Sequence, residues 1–196
     1  MFLLLVFLLA AYLIGAIPGG IVLTRLVGSE DIRQAGSGNI GATNVYRVAG
    51  RKLGVATLVL DALKGVLPVG AALAVFPESL GSVALVAAAT FLGHLYPIYI
   101  GFKGGKGVAT ALGIFLVLSP KSVLVALLIF VLLVWKWRYI SLGSVCAAAV
   151  APLLVFYFER STPLFLVTLF IGGMVILRHR ANIERLIAGT ENRFRA

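Results

Sequence analysis

GSGNIGATNVYR, residues Gly36 to Arg47, carries the spacing Gly-x-Gly-x-x-Gly at Gly36, Gly38 and Gly41. Behind a strand, within a βαβ unit and with an acidic residue further on, that spacing marks a dinucleotide-binding fold. Here it is bracketed by an apolar run at about 2–26 and another at about 53–76. The glycines therefore lie in a loop joining two membrane segments, and the chain reads as helical and lipid-embedded. Within the loop, glycine lets backbone N–H groups turn toward one point. Ser37, Asn39, Thr43, Asn44 and Arg47 add side chains that hold a negatively charged oxygen. Alone, such a stretch is most simply an irregular surface loop.

The composition supports the membrane reading. The 196 residues are 61% hydrophobic and 12% charged, where a soluble domain is about 25% charged. The first 24 residues carry no charged side chain. They lack the basic start of a signal peptide and exceed the roughly 7–15 apolar residues of its core, so they read as a retained helix. Further apolar segments fall at about 81–100, 107–119, 121–135, 139–158 and 163–177. A helix needs about 20 residues to cross a bilayer. The expected fold is a single all-α transmembrane domain over 1–196, a polytopic bundle of about seven helices. The two in the middle are short, crossing obliquely or forming a re-entrant hairpin. Ser119-Pro120 and Thr162-Pro163 read as helix starts, with a cap followed by proline at the first helical position.

Orientation follows from Lys and Arg. If the chain alternates, one face holds Arg25, Arg33, Arg47, Arg51, Lys52, Lys103, Lys106, Lys136, Arg138, Arg178, Arg180, Arg185, Arg193 and Arg195. Lys121 and Arg160 fall on the other, and Lys64 falls inside a helix. The positive-inside rule places the N-terminus outside, the C-terminus in the cytoplasm, and Trp135 and Trp137 at the inner interface. Topology thus accounts for the net charge of +10, and no basic segment interleaved with aromatics points to nucleic acid. Topology does not account for inner loops dense in Gly, Ser, Asn and Thr beside short, plain outer turns. The inner face is the working face.

The second inner loop, GHLYPIYIGFKGGKGVAT from Gly93 to Thr110, spaces Gly101, Gly104, Gly105 and Gly107 around Lys103 and Lys106 and opens into an apolar helix. Helix N-termini attract anions, and a lysine among glycines closes over a phosphate without hindrance. The spacing fails as a Walker A motif, with Gly107 where Ser or Thr would hold magnesium, so an ATPase is not expected. A third stretch, RHRANIERLIAGTENRF, crowds Arg178, His179, Arg180, Asn182, Glu184 and Arg185 at the inner boundary. By itself it reads as a solvated helix end. Asp61 and Lys64, one turn apart within a membrane segment, read as a mutually neutralising pair. His94 reads as packing or a helix-end contact. Cys146, the one cysteine, excludes an intramolecular disulfide and reads as packing. No cluster has metal-ligand spacing, and no metal or cofactor is expected.

These three stretches resemble the three cytoplasmic signatures of the bacterial acyl-phosphate-dependent glycerol-3-phosphate acyltransferases, the PlsY family: GSGNIGATNVYR the first, GHLYPIYIGFKGGKGVAT the second, HRANIERLIAGTE the third. The DALKG around Asp61 and Lys64 is similar too. The resemblance implies a multi-pass enzyme of the bacterial inner membrane that moves a fatty acyl group from a long-chain acyl phosphate to the 1-hydroxyl of glycerol 3-phosphate. The products are lysophosphatidic acid and phosphate, no coenzyme or metal is needed, and the active site faces the cytoplasm. It implies catalytic roles for Ser37, Arg47, Lys106, His179, Asn182 and Glu184. Substrate-binding roles fall to Gly38, Asn39, Gly41, Thr43, Asn44, Lys103, Gly104 and Gly105. The expected partners are the two substrates and membrane lipid, and the expected state is a monomer.

The residue chemistry fits that reaction. Burying the acyl chain is worth about 0.8 kcal/mol per CH₂, so the chain stays in lipid while the phosphate heads meet at the interface. Acyl phosphate is an activated anhydride, so no covalent serine or cysteine intermediate is needed. The base stays open between substrate assistance and a side chain. On a straight helix His179 and Glu184 point about 140° apart, so a dyad there requires a bend. The rival class is a transporter of a phosphate-bearing metabolite, which calls for inverted repeats and a polar site at mid-depth. No repeat is visible, and the polar residues cluster on one face. A non-catalytic membrane subunit leaves the glycine-lysine loops without a purpose.

Overall fold

In a computed structural model that describes residues 1–194, the chain is helical, with no strand among the described residues. Arg195, counted above with the inner-face charges, lies outside the described residues. The helices form two compact units, Met1–Val117 and Leu118–Ala196. The first holds α1 (Phe2–Gly15), α2 (Gly19–Leu26), α3 (Ala42–Ala49), α4 (Arg51–Val75) and α5 (Leu80–Leu95). A 3₁₀ turn at Ile98–Ile100 leads to α6 (Val108–Leu118). The second holds α7 (Pro120–Trp137), α8 (Ile140–Glu159), α9 (Thr162–Arg178) and α10 (Arg180–Ile187).

Four helical stretches are long and apolar enough to cross a membrane: Arg51–Val75, Leu80–Ile100, Pro120–Trp137 and Ile140–Glu159. Counting α1 with α2 and α9 with α10 as single bent spans makes six. The two middle helices, expected to be alike and short, differ. At 18 residues α7 reaches about 27 Å, close to the roughly 30 Å hydrocarbon thickness. At 11 residues α6 reaches about 16 Å, half of it. Ser119 caps α7 with Pro120 behind it, as expected, whereas the cap of α9 falls one residue earlier than expected, on Ser161, and Thr162 is already the first helical residue.

The first apolar run is not one straight helix. It bends by 45° between α1 and α2, because Pro18 offers no N–H and Gly19-Gly20 restart the helix. Close packing in this unit runs through glycine. A Cβ on Gly15 would overlap the Thr90 carbonyl, and one on Gly93 would overlap that of Tyr12, so the α1 and α5 backbones touch. Gly65 and Gly113 do the same for α4 and α6, against Thr110 and Ala62. In lipid, where apolar surface gives helices no reason to associate, small residues supply close van der Waals contact instead. In the second unit α8 packs on both α7 and α9, with Gly172 set against Ala148.

Candidate active site

The first loop contains a helix that its glycines hid. Gly41 caps α3, and Asn39 Oδ1 accepts from the Gly41 N–H at 2.9 Å, closing the turn into it. Asn44 is buried and makes three hydrogen bonds to backbone groups. Its Nδ2 donates to the carbonyls of Ile32 (2.9 Å) and Ala35 (3.1 Å), while Oδ1 accepts from the Ser37 N–H at 2.8 Å. Asn44 thus clamps the loop, and both of its N–H donors are spent on backbone carbonyls. Gly36 and Gly38 adopt positive φ, 61° and 68°, and a Cβ on Gly36 would overlap Asn44 Oδ1. Beneath lies a small apolar core of Ile21, Ile32, Ile40 and Val45.

What this scaffold leaves outward is Ser37, Gly38 and Arg47, all exposed, with Thr43 half-buried on the first turn of α3. Among the described residues no ion pair joins Arg47. Arg33, by contrast, is matched by Asp31. The Arg33 side chain and backbone N–H donate to that carboxyl and hold it down at about 2.

The second loop folds back over the end of α5. The N–H groups of Gly104 and Gly105 donate to the carbonyls of Leu95 (3.1 Å) and His94 (3.3 Å). Close approach makes glycine obligatory here. A Cβ on Gly104 would overlap both carbonyls, one on Gly105 the His94 Nε2, and one on Gly107 the Phe91 ring. His94 is buried under the loop, the packing role expected of it. Tyr12 Oη anchors the loop's base, donating to the Tyr96 carbonyl at 2.7 Å. Lys103 is exposed and Lys106 half-buried between Gly105 and Gly107, two residues before α6 begins at Val108.

In the second unit the third stretch is bent by 57° at His179, which ends α9 and caps α10. His179 is buried, and its Nδ1 lies 2.8 Å from the Val175 carbonyl. A carbonyl only accepts, so the neutral ring carries its proton on Nδ1 and its basic lone pair on Nε2. Asn182 is also buried, and its Nδ2 donates to Glu191 Oε1 at 2.7 Å. Glu184, two residues on and about 200° around the helix, is exposed and pairs with Arg180 at 3.0 Å. The bend that a His179–Glu184 dyad requires exists, but Glu184 meets Arg180 instead.

Sequence reasoning missed Glu191 and Ser141. Glu191 accepts from Asn182, from Arg185 Nε (2.7 Å) and from Ser141 Oγ (2.8 Å), with only 6% of its side chain exposed. Burial pushes its carboxyl up, but the Asn182, Arg185 and Ser141 hydrogen bonds and the Arg185 charge outweigh that and hold it below 4.5. Gly189, at φ 71°, reverses the chain after α10 so that Glu191 folds back on the helix. That glycine was the available signal: a helix stop followed by a lone acid.

The Asp61–Lys64 pair is present as expected, at 3.0 Å and almost wholly buried. Lys64 Nζ also donates to the Ile17 carbonyl at 2.9 Å, in the break between α1 and α2.

Comparison with known proteins matches residues 5–189 to the glycerol-3-phosphate acyltransferase family model. A glycerol-3-phosphate acyltransferase of Syntrophotalea carbinolica is 64% identical over 191 residues, 97% of each chain. That of Trichlorobacter lovleyi is 53% identical over 95% of each. Among solved structures, PlsY (YgiH), an integral membrane glycerol 3-phosphate acyltransferase, superposes in two forms. Its glycerol 3-phosphate form has a TM-score of 0.94 at 42% identity, covering 98% of this chain and 96% of that one. Its lysophosphatidic acid form has a TM-score of 0.92 at 41% identity, covering 98% and 95%. Matched to the family model over residues 5–189 and to a relative 64% identical along 97% of its length, this chain belongs to the glycerol-3-phosphate acyltransferase family.

Proposed function

We propose that the protein transfers a fatty acyl group from a long-chain acyl phosphate to the 1-hydroxyl of sn-glycerol 3-phosphate, as a monomer in the bacterial inner membrane, with its loops in the cytoplasm. The observation that carries this reading is that acceptor and product each name a crystal form of a relative sharing this fold along nearly the whole chain. The acceptor oxygen attacks the acyl carbonyl carbon, the bond from that carbon to the bridging oxygen breaks, and phosphate leaves. The hydroxyl proton passes to a phosphate oxygen, so the substrate supplies its own base.

In this reading Ser37, Arg47 and Lys106 hold phosphate oxygens, with Lys103 adding charge. Gly38, Asn39, Gly41, Thr43, Asn44, Gly104 and Gly105 shape the backbone that surrounds them. His179 and Asn182 are the proposed catalytic pair of the second unit, His179 oriented through Nδ1 by the Val175 carbonyl and Asn182 set in place by Glu191. Glu184 is proposed to contribute charge at the same boundary through Arg180. Catalysis of this kind is positioning and charge stabilisation.

The test is purified protein in detergent, given acyl phosphate and glycerol 3-phosphate without ATP or metal. Phosphate release that requires both substrates supports the reading. No release, together with uptake of glycerol 3-phosphate by proteoliposomes, would establish the transporter. Lys106→Ala is expected to lower release by about 100-fold or more, the scale of losing one charge-stabilising donor, while the helical circular dichroism persists.

A further inference from the structure

We infer that the buried Asp61–Lys64 pair positions the first glycine loop, acting through the break between α1 and α2. Both charges sit near the middle of the 25-residue α4, where ionisable side chains are costly and carry a role beyond filling space. Neither takes part in the chemistry proposed above. What they touch is the break. Lys64 Nζ donates to the Ile17 carbonyl at 2.9 Å, immediately before Pro18, at the carbonyl-rich end of α1 where positive charge is favoured. Asp61 Oδ1 lies 3.2 Å from where a Cβ on Gly19 would stand, so the first residue of α2 is seated against the pair.

The next residue passes the constraint on. Gly20 fits so closely on the Ile40 carbonyl that a Cβ would overlap it, and Ile21 packs in one core with Ile32, Ile40 and Val45. Ile40 directly precedes Gly41, the cap of α3, and α3 carries Asn44 and Arg47. A shift of the pair is therefore a shift of the break, then of Ile40, then of the loop. A pair that merely neutralised itself would have no reason to bind the Ile17 carbonyl. The ends of the second loop touch α1 and α4, at Tyr96 and Thr110, but its Gly104–Gly107 segment rests on His94, Leu95 and Phe91 of α5.

The activity arm of the test rests on the reaction proposed above, and an exchange arm does not. The variant Asp61→Leu with Lys64→Met removes both charges at similar volume, a change that well-packed interiors accept. Hydrogen–deuterium exchange is expected to rise at amides 36–47 and to stay at the wild-type level at 101–107. The KM for glycerol 3-phosphate is expected to rise about tenfold with kcat within about twofold, less than the roughly 100-fold that a misplacement of about 1 Å costs. Gly20→Ala, which pushes on Ile40 directly, is expected to give the same pattern.

Wild-type exchange and KM in the double variant overturn the inference. A collapse of kcat at unchanged KM also overturns it, by placing the pair in the chemistry. Should the apolar variant fail to fold, Asp61→Asn with Lys64→Gln decides the matter. Its shorter amide loses the Ile17 contact, and an unchanged loop exchange there is equally fatal. A wild-type protein without acyl transfer ends the functional proposal and leaves the exchange result to judge this one.

Discussion

The two glycine loops of the first unit and the Arg178–Glu191 stretch of the second hold their functional residues by opposite means. The loops are built by excluded volume. Gly36, Gly104, Gly105 and Gly107 sit where a Cβ would strike Asn44, backbone carbonyls, His94 or Phe91, and Ser37, Arg47 and Lys103 are left on the surface. The third stretch is built by charge. His179 and Asn182 are buried, and one carboxylate, Glu191, gathers Asn182, Arg185 and Ser141 around itself. The first arrangement should resist pH and fail on a single added methyl group. The second should tolerate volume and fail on a lost charge.

Gly104→Ala is the most severe way to challenge that contrast. Its Cβ would meet the His94 and Leu95 carbonyls, backbone atoms that cannot rotate away. Acyl transfer is expected to fall by about 100-fold, the order that a misplacement of about 1 Å produces, with the helical signal intact. Gly101→Ala sharpens the point. It has open space around it but a φ of 67°, so it meets only the strain of about 1–2 kcal/mol for a left-handed residue and should keep most activity. Equal damage at both positions would mean that backbone conformation, rather than crowding, sets the loop.

Arg47→Lys comes next. The fold leaves Arg47 exposed on a short helix, so its worth lies in the planar fork that a lysine does not reproduce. The KM for glycerol 3-phosphate should rise by about tenfold, equivalent to about 1.4 kcal/mol, with no change in melting temperature. A normal KM would remove Arg47 from the phosphate ligands.

The loops were far more legible in the sequence than their supports. Gly-rich, polar stretches stand out in an apolar chain, so the first two stretches and the residues they expose could be read directly. The same glycines obscured α3, since Gly36 to Gly41 reads as irregular loop until Asn44 and Asn39 are seen tying it down. Residue type alone does not show that Asn44 ties the loop together, which rests on three hydrogen bonds to backbone groups up to 12 residues away. The bend at Pro18 was hidden within a run of apolar residues that continues past it to Leu26. The role of Lys64 was hidden because its partner is a backbone carbonyl 47 residues away. Glu191 escaped because Gly189 signals a chain reversal in the sequence without saying which side chains that reversal brings together.

Glu191→Gln tests the charge-built half. A glutamine still accepts from Ser141 or Asn182, but its amide group turns donor against donor at Arg185. Losing a charge-assisted bond of about 2 kcal/mol should lower the melting temperature by roughly 5 °C in a chain of this size. The pH dependence has a definite sign. Because the folded carboxyl lies below 4.5, its contribution is complete above that value and is lost as pH falls through the folded value. The wild-type protein should therefore lose stability in acid, and the variant should lose less over the same range. Identical acid curves would show that the third stretch, like the loops, is held by packing.

Glu184→Gln marks the small end of the scale and separates the two carboxylates of this stretch. Glu184 and Arg180 form an i,i+4 pair with side chains 63% and 85% exposed, an arrangement worth about 0.3–0.5 kcal/mol and screened by salt. The melting temperature should move by no more than about 2 °C, and its difference from wild type should vanish in high salt. The effect on turnover distinguishes two sources of charge at the boundary. A base that removes the acceptor proton would drop kcat sharply on this change, and restoring the charge elsewhere on α10 would not help. A purely electrostatic part predicts a change of about twofold that tracks ionic strength, within the screening length of roughly 10 Å at 0.1 M salt. Substrate assistance survives only the second outcome.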